Sequence, residues 1–141
     1  MATARAPELK VRTGIDAVGV DRLQRLVEEH ADRERELFTP GELEYCRGKR
    51  RRYEHLAARF AAKEAVLKAF GTGISQRMRW TDVEVVSESS GRPRIVLDGA
   101  VAAFAERNGL RDLDVSLTHT EGLAVAQAIT LWERGRACDS T

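Results

Sequence analysis

Two residue types that support acid–base or ion-binding chemistry, Glu64 and Lys68, lie four positions apart in a segment with helical periodicity. Residues at this spacing share one face of a helix. An ordinary surface pair of this kind contributes only about 0.3–0.5 kcal/mol. Asp16 is a further carboxylate, which a solvent-facing strand position or a helix cap would also explain. Spacing alone favours the structural interpretation for all three residues.

Two further features could contact a phosphate. Gly71-Thr72-Gly73 follows a helix rather than preceding one, so it is not a P-loop. Backbone N–H groups between two glycines can still bind an anion, although the end of a helix explains the pattern equally well. His119 lies in a polar segment after an alternating one, where a histidine is more often structural than catalytic.

Hydrophobic periodicity predicts the elements that must position these residues. Alternation over 11–17 predicts a strand, and helical spacing predicts a first helix from about Val20 to Glu36. Thr39-Pro40-Gly41-Glu42 is a helix start with a capping threonine and a proline in the first turn. The clearest helix runs to Phe70 and ends at Gly71. Lys63 falls within its core-facing arc, so it either extends past the core or points at a group that needs a cation.

After Gly73 the period changes to two, which predicts strands. The predicted elements are strands at Trp80–Val86 and Pro93–Leu97, a helix from Asp98 or Gly99 to Arg107, and strands over 113–118 and Leu123–Trp132. The resulting order, β-α-α-α-β-β-α-β-β, predicts an α+β fold. We expect one domain over 14–132, with an N-terminal arm over 1–13 and a C-terminal tail over 133–141.

The composition excludes several classes of protein. The 141 residues are 43% hydrophobic and 32% charged, which is unlike a disordered tail, and no apolar run reaches the roughly 20 residues of a membrane span. The two cysteines, Cys46 and Cys138, have no metal spacing, as expected of a cytoplasmic protein. The net charge of +1 argues against extensive nucleic-acid coating. The basic run Arg47–Arg52 nevertheless leaves a nucleic-acid-binding module as an alternative.

The fifteen residues Arg59–Gly73 resemble the signature of the holo-acyl-carrier-protein synthases, the small bacterial 4′-phosphopantetheinyl transferases. Other segments are similar to the family pattern in the same order. These are Gly14-Ile15-Asp16 with Arg22, Phe38-Thr39 with Glu42 and Tyr45-Cys46, Trp80–Val85, Gly91-Arg92-Pro93, and Val115–Thr120. The resemblance implies the 4′-phosphopantetheinyl transferase fold, a small antiparallel sheet packed with a long helix.

The resemblance also implies a reaction. The family transfers 4′-phosphopantetheine from coenzyme A to a serine hydroxyl of an apo acyl carrier protein, and adenosine 3′,5′-bisphosphate is released. Asp16 and Glu64 would be catalytic residues and ligands of Mg²⁺, which prefers oxygen donors. Lys68 would be catalytic and would reach the pyrophosphate. Either Glu64 or a water on the metal could take the serine proton.

The remaining implied roles concern partners. Arg22, with Arg25 on the same helix face, would bind the acidic carrier protein, which could serve fatty-acid or polyketide synthesis. A homotrimer would form the cleft between neighbouring subunits. A second alternative is a catalytically silent trimer that binds coenzyme A or a carrier. The implied coenzyme A contacts are Arg59, Lys63, Lys68, Gly71, Thr72, Gly73, Pro93, Thr118 and His119.

Overall fold

A computed structural model of the chain describes residues 6–75 and 77–134. The predicted α+β class and element order are confirmed. The elements are β1 (Glu8–Gly19), α1 (Val20–Glu29), α2 (Arg33–Leu37), α3 (Pro40–Arg47), α4 (Arg52–Phe70), β2 (Val83–Ser87), β3 (Pro93–Leu97), α5 (Gly99–Arg107), β4 (Leu110–Thr120) and β5 (Leu123–Arg134). Within the described ranges, no helix combines the length and apolar character that crossing a bilayer demands.

The strands form two antiparallel sheets. The larger sheet has the order β1-β5-β4, and β2 pairs with β3 in a separate hairpin. The central helix α4 packs against one face of the larger sheet, and two buried clusters of side chains surround this helix. The long helix therefore supports both sheets, as the family resemblance implied.

A glycine allows β1 to approach α4 very closely. A Cβ atom added at Gly14 would lie 1.9 Å from the carbonyl oxygen of Ala65 and 2.7 Å from the amide nitrogen of Ala69. Only a residue without a side chain fits there. This contact places Asp16, two residues further along β1, beside the neighbouring turns of α4.

Several predicted elements differ in their boundaries, and β4 extends beyond the predicted 113–118 at both ends. The helix predicted over Val20–Glu36 is two helices, because His30 has an extended backbone. The buried residues Val27 and Leu37 therefore belong to different helices. The strand predicted from Trp80 begins at Val83, since residues 80–82 form a 3-10 turn that the Asp82 carboxylate caps.

The predicted N-terminal arm is corrected in part. Strand β1 begins at Glu8, which is opposite Arg134 at the end of β5, so residues 8–13 belong to the sheet. Backbone pairing holds this segment although its side chains are exposed. The predicted tail is corrected in the same way, because residues 133–134 form the end of β5. Residues 1–5, 76 and 135–141, including Cys138, lie outside the described residues. The division into arm, domain and tail otherwise stays a prediction.

Candidate active site

An ion pair connects the first strand to the central helix. The Lys68 ammonium donates to Oδ1 of Asp16 at 2.8 Å and to the carbonyl oxygen of Ile15 at 3.1 Å. The Asp16 side chain is 12% exposed and that of Lys68 is 53% exposed, so the ammonium has an open side. The hydrogen bond to Asp16 raises the pKa of Lys68, which therefore carries a positive charge at neutral pH.

Glu64 lies one helical turn before Lys68 and is half-buried beside Asp16. Burial, and next the neighbouring charge of Asp16, raise the pKa of Glu64 to about 7, while Lys68 and Arg22 act in the opposite direction. Two carboxylates thus meet at a place where the nearby cations only partly balance them. The structure brings together the three residues that were predicted to be catalytic.

Asp16 and Glu64 line an open cleft with a volume of about 620 Å³, and Lys68 is joined to it through its ion pair with Asp16. Strand β1, α1 and α4 form its walls, and α1 contributes both predicted carrier-binding residues, Arg22 and Arg25. The residues that line the cleft are Asp16, Ala17, Val18, Arg22, Leu23, Arg25, Leu26, Glu29, Phe60 and Glu64. The cleft therefore has an acidic centre and a basic wall.

The two carboxylates fit a magnesium ion that is completed by other ligands. In the described part of the chain, no group of three or more His, Cys, Asp or Glu side chains could enclose a metal. Mg²⁺ is commonly held by one or two carboxylates together with waters and substrate phosphates. The unbalanced pair Asp16 and Glu64 provides such a partial oxygen set, and it is unlike a closed structural metal site.

Lys63 is placed differently from the prediction. Its side chain is fully buried, and its ammonium lies 2.7 Å from a carboxylate oxygen of Glu42, which is also fully buried. The ammonium donates in addition to the carbonyl oxygens of Trp80 and Val83. We therefore remove Lys63 from the predicted coenzyme A contacts, because its donors are used inside the core.

Arg59 and His119 belong to a separate cluster of basic and aromatic side chains. Arg59 is buried, donates to Ser87 Oγ at 3.0 Å, and lies with its guanidinium carbon 4.1 Å from the centre of the Tyr45 ring. The Nε of Arg59 has no hydrogen-bond partner in the described structure. His119 Nδ1 is 3.4 Å from a carboxylate oxygen of Glu54, and the ring lies against His55.

The three predicted backbone contacts lie at the end of α4. Gly71 ends the helix with a φ of 80°, and its amide donates to the carbonyl oxygens of Leu67 and Lys68 at 3.0 Å. Thr72 continues this cap through its amide and donates from Oγ1 to the carbonyl of Gly73. Pro93 begins β3 opposite Ser87 of the Arg59 cluster. Thr118 is adjacent to His119 on β4.

Acidic neighbours partly neutralise the basic run Arg47–Arg52. Arg47 pairs with Glu44 at 2.8 Å and Arg51 with Glu54 at 3.7 Å. Arg52 forms an ion pair with Glu34. Three of the five cations in the run thus have a carboxylate partner, which weakens the nucleic-acid alternative.

Sequence analysis missed some residues that line the cleft and the buried partner of Lys63. Leu26 and Glu29 line the cleft but belong to none of the segments that resemble the family. Glu42 was interpreted as a helix cap and as part of the family pattern, but not as the partner of Lys63. The predicted position of Lys63 on a core-facing arc was an available signal, because a buried ammonium requires a buried acid.

Comparisons with known proteins agree with this architecture. A model of the 4′-phosphopantetheinyl transferase superfamily matches residues 12–128. The holo-[acyl-carrier-protein] synthase of Solibacter usitatus is 43% identical over 120 residues, which cover 84% of this chain and 96% of the relative. The synthase of the same name from Geobacter sulfurreducens is 49% identical over 118 residues, which cover 83% and 94%.

A solved structure gives the same result for the fold. The coenzyme A complex of the acyl-carrier-protein synthase from Chronobacterium ammoniagenes superposes with a TM-score of 0.80 at 28% identity, covering 89% of this chain and 99% of that one. The chain therefore belongs to the 4′-phosphopantetheinyl transferase superfamily and is an enzyme of its holo-[acyl-carrier-protein] synthase group.

Proposed function

We propose that this enzyme transfers 4′-phosphopantetheine from coenzyme A to a serine hydroxyl of an apo acyl carrier protein. The serine oxygen forms a bond to the phosphorus that carries the pantetheine arm. The bond from that phosphorus to the bridging oxygen breaks, and adenosine 3′,5′-bisphosphate leaves. The observation that carries the proposal is that Asp16 and Glu64 meet at one open cleft while Lys68 is paired with Asp16 beside them.

Charge neutralisation is the main task of the site, because negative charge is spread over the phosphate oxygens during the transfer. Asp16 and Glu64 would hold the Mg²⁺. When bound, that ion polarises the phosphate oxygens and orients them. Lys68 is held by Asp16 and Ile15, so its ammonium is oriented before substrate arrives. Its exposed side is available to the departing phosphate.

The basic wall of the cleft supports a docking role for α1. Arg22 and Arg25 line the same cleft as Glu64, so a carrier that contacts them would bring its serine towards the carboxylates. Carrier proteins are acidic, and complementary charge speeds their encounter with a basic surface. We therefore propose Arg22 and Arg25 as carrier-binding residues of a cytoplasmic enzyme that serves fatty-acid or polyketide synthesis.

The proposed nucleotide contacts are those of the sequence analysis without Lys63. The known coenzyme A complex of the relative from Chronobacterium ammoniagenes supports coenzyme A as the co-substrate. Among the described residues, the Nε of Arg59 beside Tyr45 and Ser87 has no hydrogen-bond partner, which supports a phosphate contact at that cluster. The other proposed contacts are Lys68, Gly71, Thr72, Gly73, Pro93, Thr118 and His119.

An exposed apolar face supports the proposed homotrimer. The outer face of the larger sheet presents Val11 (53% exposed), Ile15 (61%) and Ile129 (49%). These side chains belong to neighbouring strands, since Thr13 of β1 is opposite Ile129 of β5. Apolar side chains concentrated on one sheet face are typical of a protein interface. Light scattering should give three times the chain mass, and a monomer would contradict the proposed trimer.

The transfer is tested by intact-protein mass spectrometry of an apo acyl carrier protein incubated with this protein, coenzyme A and Mg²⁺. The expected result is a mass gain of one phosphopantetheine and its loss in a parallel sample with chelator. A carrier that stays apo with several different carrier proteins, while the protein still binds coenzyme A, would contradict the proposal and favour the silent-binder alternative.

A further inference from the structure

A buried ion pair joins α3 to α4 beside the helix face that lines the cleft. Glu42 and Lys63 are 1% and 0% exposed, and Lys63 Nζ lies 2.7 Å from Glu42 Oε1. The other two donors of the ammonium reach the carbonyl oxygens of Trp80, at 3.0 Å, and Val83. A lysine has three N–H donors, so this ammonium is fully satisfied.

The carboxylate of Glu42 is satisfied as well. Its Oε1 also accepts from the amide of Thr39, and its Oε2 accepts from the amide of Val85, both at 2.9 Å. The pair therefore ties together the start of α3, the middle of α4 and the first strand of the small hairpin. Such bonds are directional, and each fixes an angle as well as a distance.

Much of the remaining buried surface of α4 consists of small side chains. Six of its buried residues are alanines, namely Ala57, Ala58, Ala61, Ala62, Ala65 and Ala69. Small side chains interdigitate little, so they resist a rotation of the helix about its axis less than large ones do. The bonds of Lys63 supply a directional restraint in the middle of this surface.

The rotation of α4 determines where its catalytic side chains point. Glu64 directly follows Lys63, which places the two side chains about 100° apart around the helix. When Lys63 is fixed towards Glu42, Glu64 is directed to the side on which Asp16 lies. Lys68, one turn further, reaches Asp16 from the same helix.

We propose that Glu42 and Lys63 are positioning residues, which set the rotation of α4 and thereby hold Glu64 and Lys68 against Asp16. This inference rests on the proposed function of that cleft. Neither residue touches the reacting groups. Their effect is therefore expected in the turnover number and in the affinity of the carboxylates for a cation, and not in the affinity for the carrier protein.

The test compares the wild type with the double variant Glu42→Gln/Lys63→Met, which removes both charges and so leaves no buried charge unpaired. We expect a folded protein whose kcat falls at least tenfold while KM for the carrier stays within twofold. Binding of Mn²⁺ alone, followed by calorimetry, should weaken at least fivefold. A folded double variant with wild-type kcat and wild-type Mn²⁺ affinity would overturn the inference.

Two further variants separate positioning from general stability. Glu42→Asp keeps the charge but shortens the side chain, so kcat should fall at least threefold even if the double variant does not fold, and an unchanged kcat would overturn the inference. Val101→Ala is the matched control, because Val101 is fully buried on α5, a helix to which neither Glu42 nor Lys63 belongs. If this variant lowers kcat as much as the pair variants at equal melting temperature, the effect is one of stability and the inference is wrong.

The failure of the proposed function would look different. In that case the wild type itself would not modify any carrier protein, whereas failure of this inference leaves wild-type turnover intact and removes only the difference between variants. The Mn²⁺ titration tests the placement of Glu64 and Asp16 without reference to turnover.

Discussion

The ammonium of Lys68 on α4 lies 2.8 Å from a carboxylate oxygen of Asp16 on β1, although 52 positions separate the two residues in the chain. This contact joins the strand and the helix that together form the site. It depends on the close approach of β1 to α4 at Gly14. The functional groups are thus held beside a junction where a strand and a helix approach each other closely.

Removal of the Lys68 charge should reduce turnover with little effect on stability. Lys68→Met is expected to lower kcat about 10²–10³-fold, the size of effect seen when one preorganised charge-stabilising donor is lost. The melting temperature should change little, because the ammonium is half exposed and such pairs contribute little to stability. Steady-state kinetics and thermal melting test this. A Lys68→Met enzyme with near-normal kcat would exclude Lys68 from catalysis.

Reversal of charge at Arg22 should impair carrier recognition. Arg22→Glu is expected to raise KM for the carrier protein about tenfold and to change kcat less, because it weakens encounter with an acidic partner. Arg107→Glu on α5 is the matched control, since Arg107 is exposed and does not line this cleft. If both variants raise KM equally, only net charge matters and Arg22 does not lie at the docking surface.

The metal-free protein should lose stability as pH rises through the titration of Glu64. Its folded pKa, about 7, lies above the ordinary value of 4.5, so the folded state binds more protons than the unfolded state between these pH values. The free energy of unfolding therefore falls as pH increases across that range. Glu64→Gln should remove this fall. With chelator present, the melting temperature of the variant should exceed that of the wild type at pH 8. At pH 5 the difference between the two melting temperatures should be smaller. Equal melting temperatures of the two proteins at pH 8 would show that burial and the neighbouring Asp16 do not raise the pKa of Glu64.

Packing at Gly14 should be intolerant of any side chain. The added Cβ of Gly14→Ala would overlap backbone atoms of α4, which cannot move aside as a flexible side chain can. We expect a loss of about 3 kcal/mol or more, the upper range for overpacking. Gly48→Ala is the control, since a Cβ there meets nothing within 4 Å. Urea unfolding measures both, and a small loss at Gly14 would mean that β1 lies further from α4.

The sequence predicted the local features of the fold and the residues of the cleft, but not the partners that are distant in the chain. The capping box at Thr39 and the end of α4 at Gly71 depend on neighbouring residues, and both are confirmed. The coenzyme A contact predicted for Lys63 is wrong, because its burial depends on Glu42 and on the carbonyl of Val83, 21 and 20 residues away. Periodicity along one helix contains no information about such partners.

The same limit explains the boundaries that were missed. The break after α1 lies at His30, whose backbone is extended although the apolar residues on both sides keep a helical spacing. The extra residues of β1 are stabilised by pairing with β5, more than a hundred positions later. In contrast, the family resemblance identified Asp16, Glu64 and Lys68 as residues of one site. Spacing alone could not show that Asp16 lies beside the other two.

The most direct test of the proposed mechanism is the initial rate of carrier modification by Glu64→Ala compared with Glu106→Ala, an exposed position on α5. Intact-protein mass spectrometry would follow the gain of one phosphopantetheine on the carrier in the presence of Mg²⁺, with circular dichroism as the check on folding. We predict that Glu64→Ala loses activity by orders of magnitude while Glu106→Ala retains the wild-type rate. A folded Glu64→Ala enzyme that modifies the carrier within about twofold of the wild-type rate would contradict the assignment of the active site.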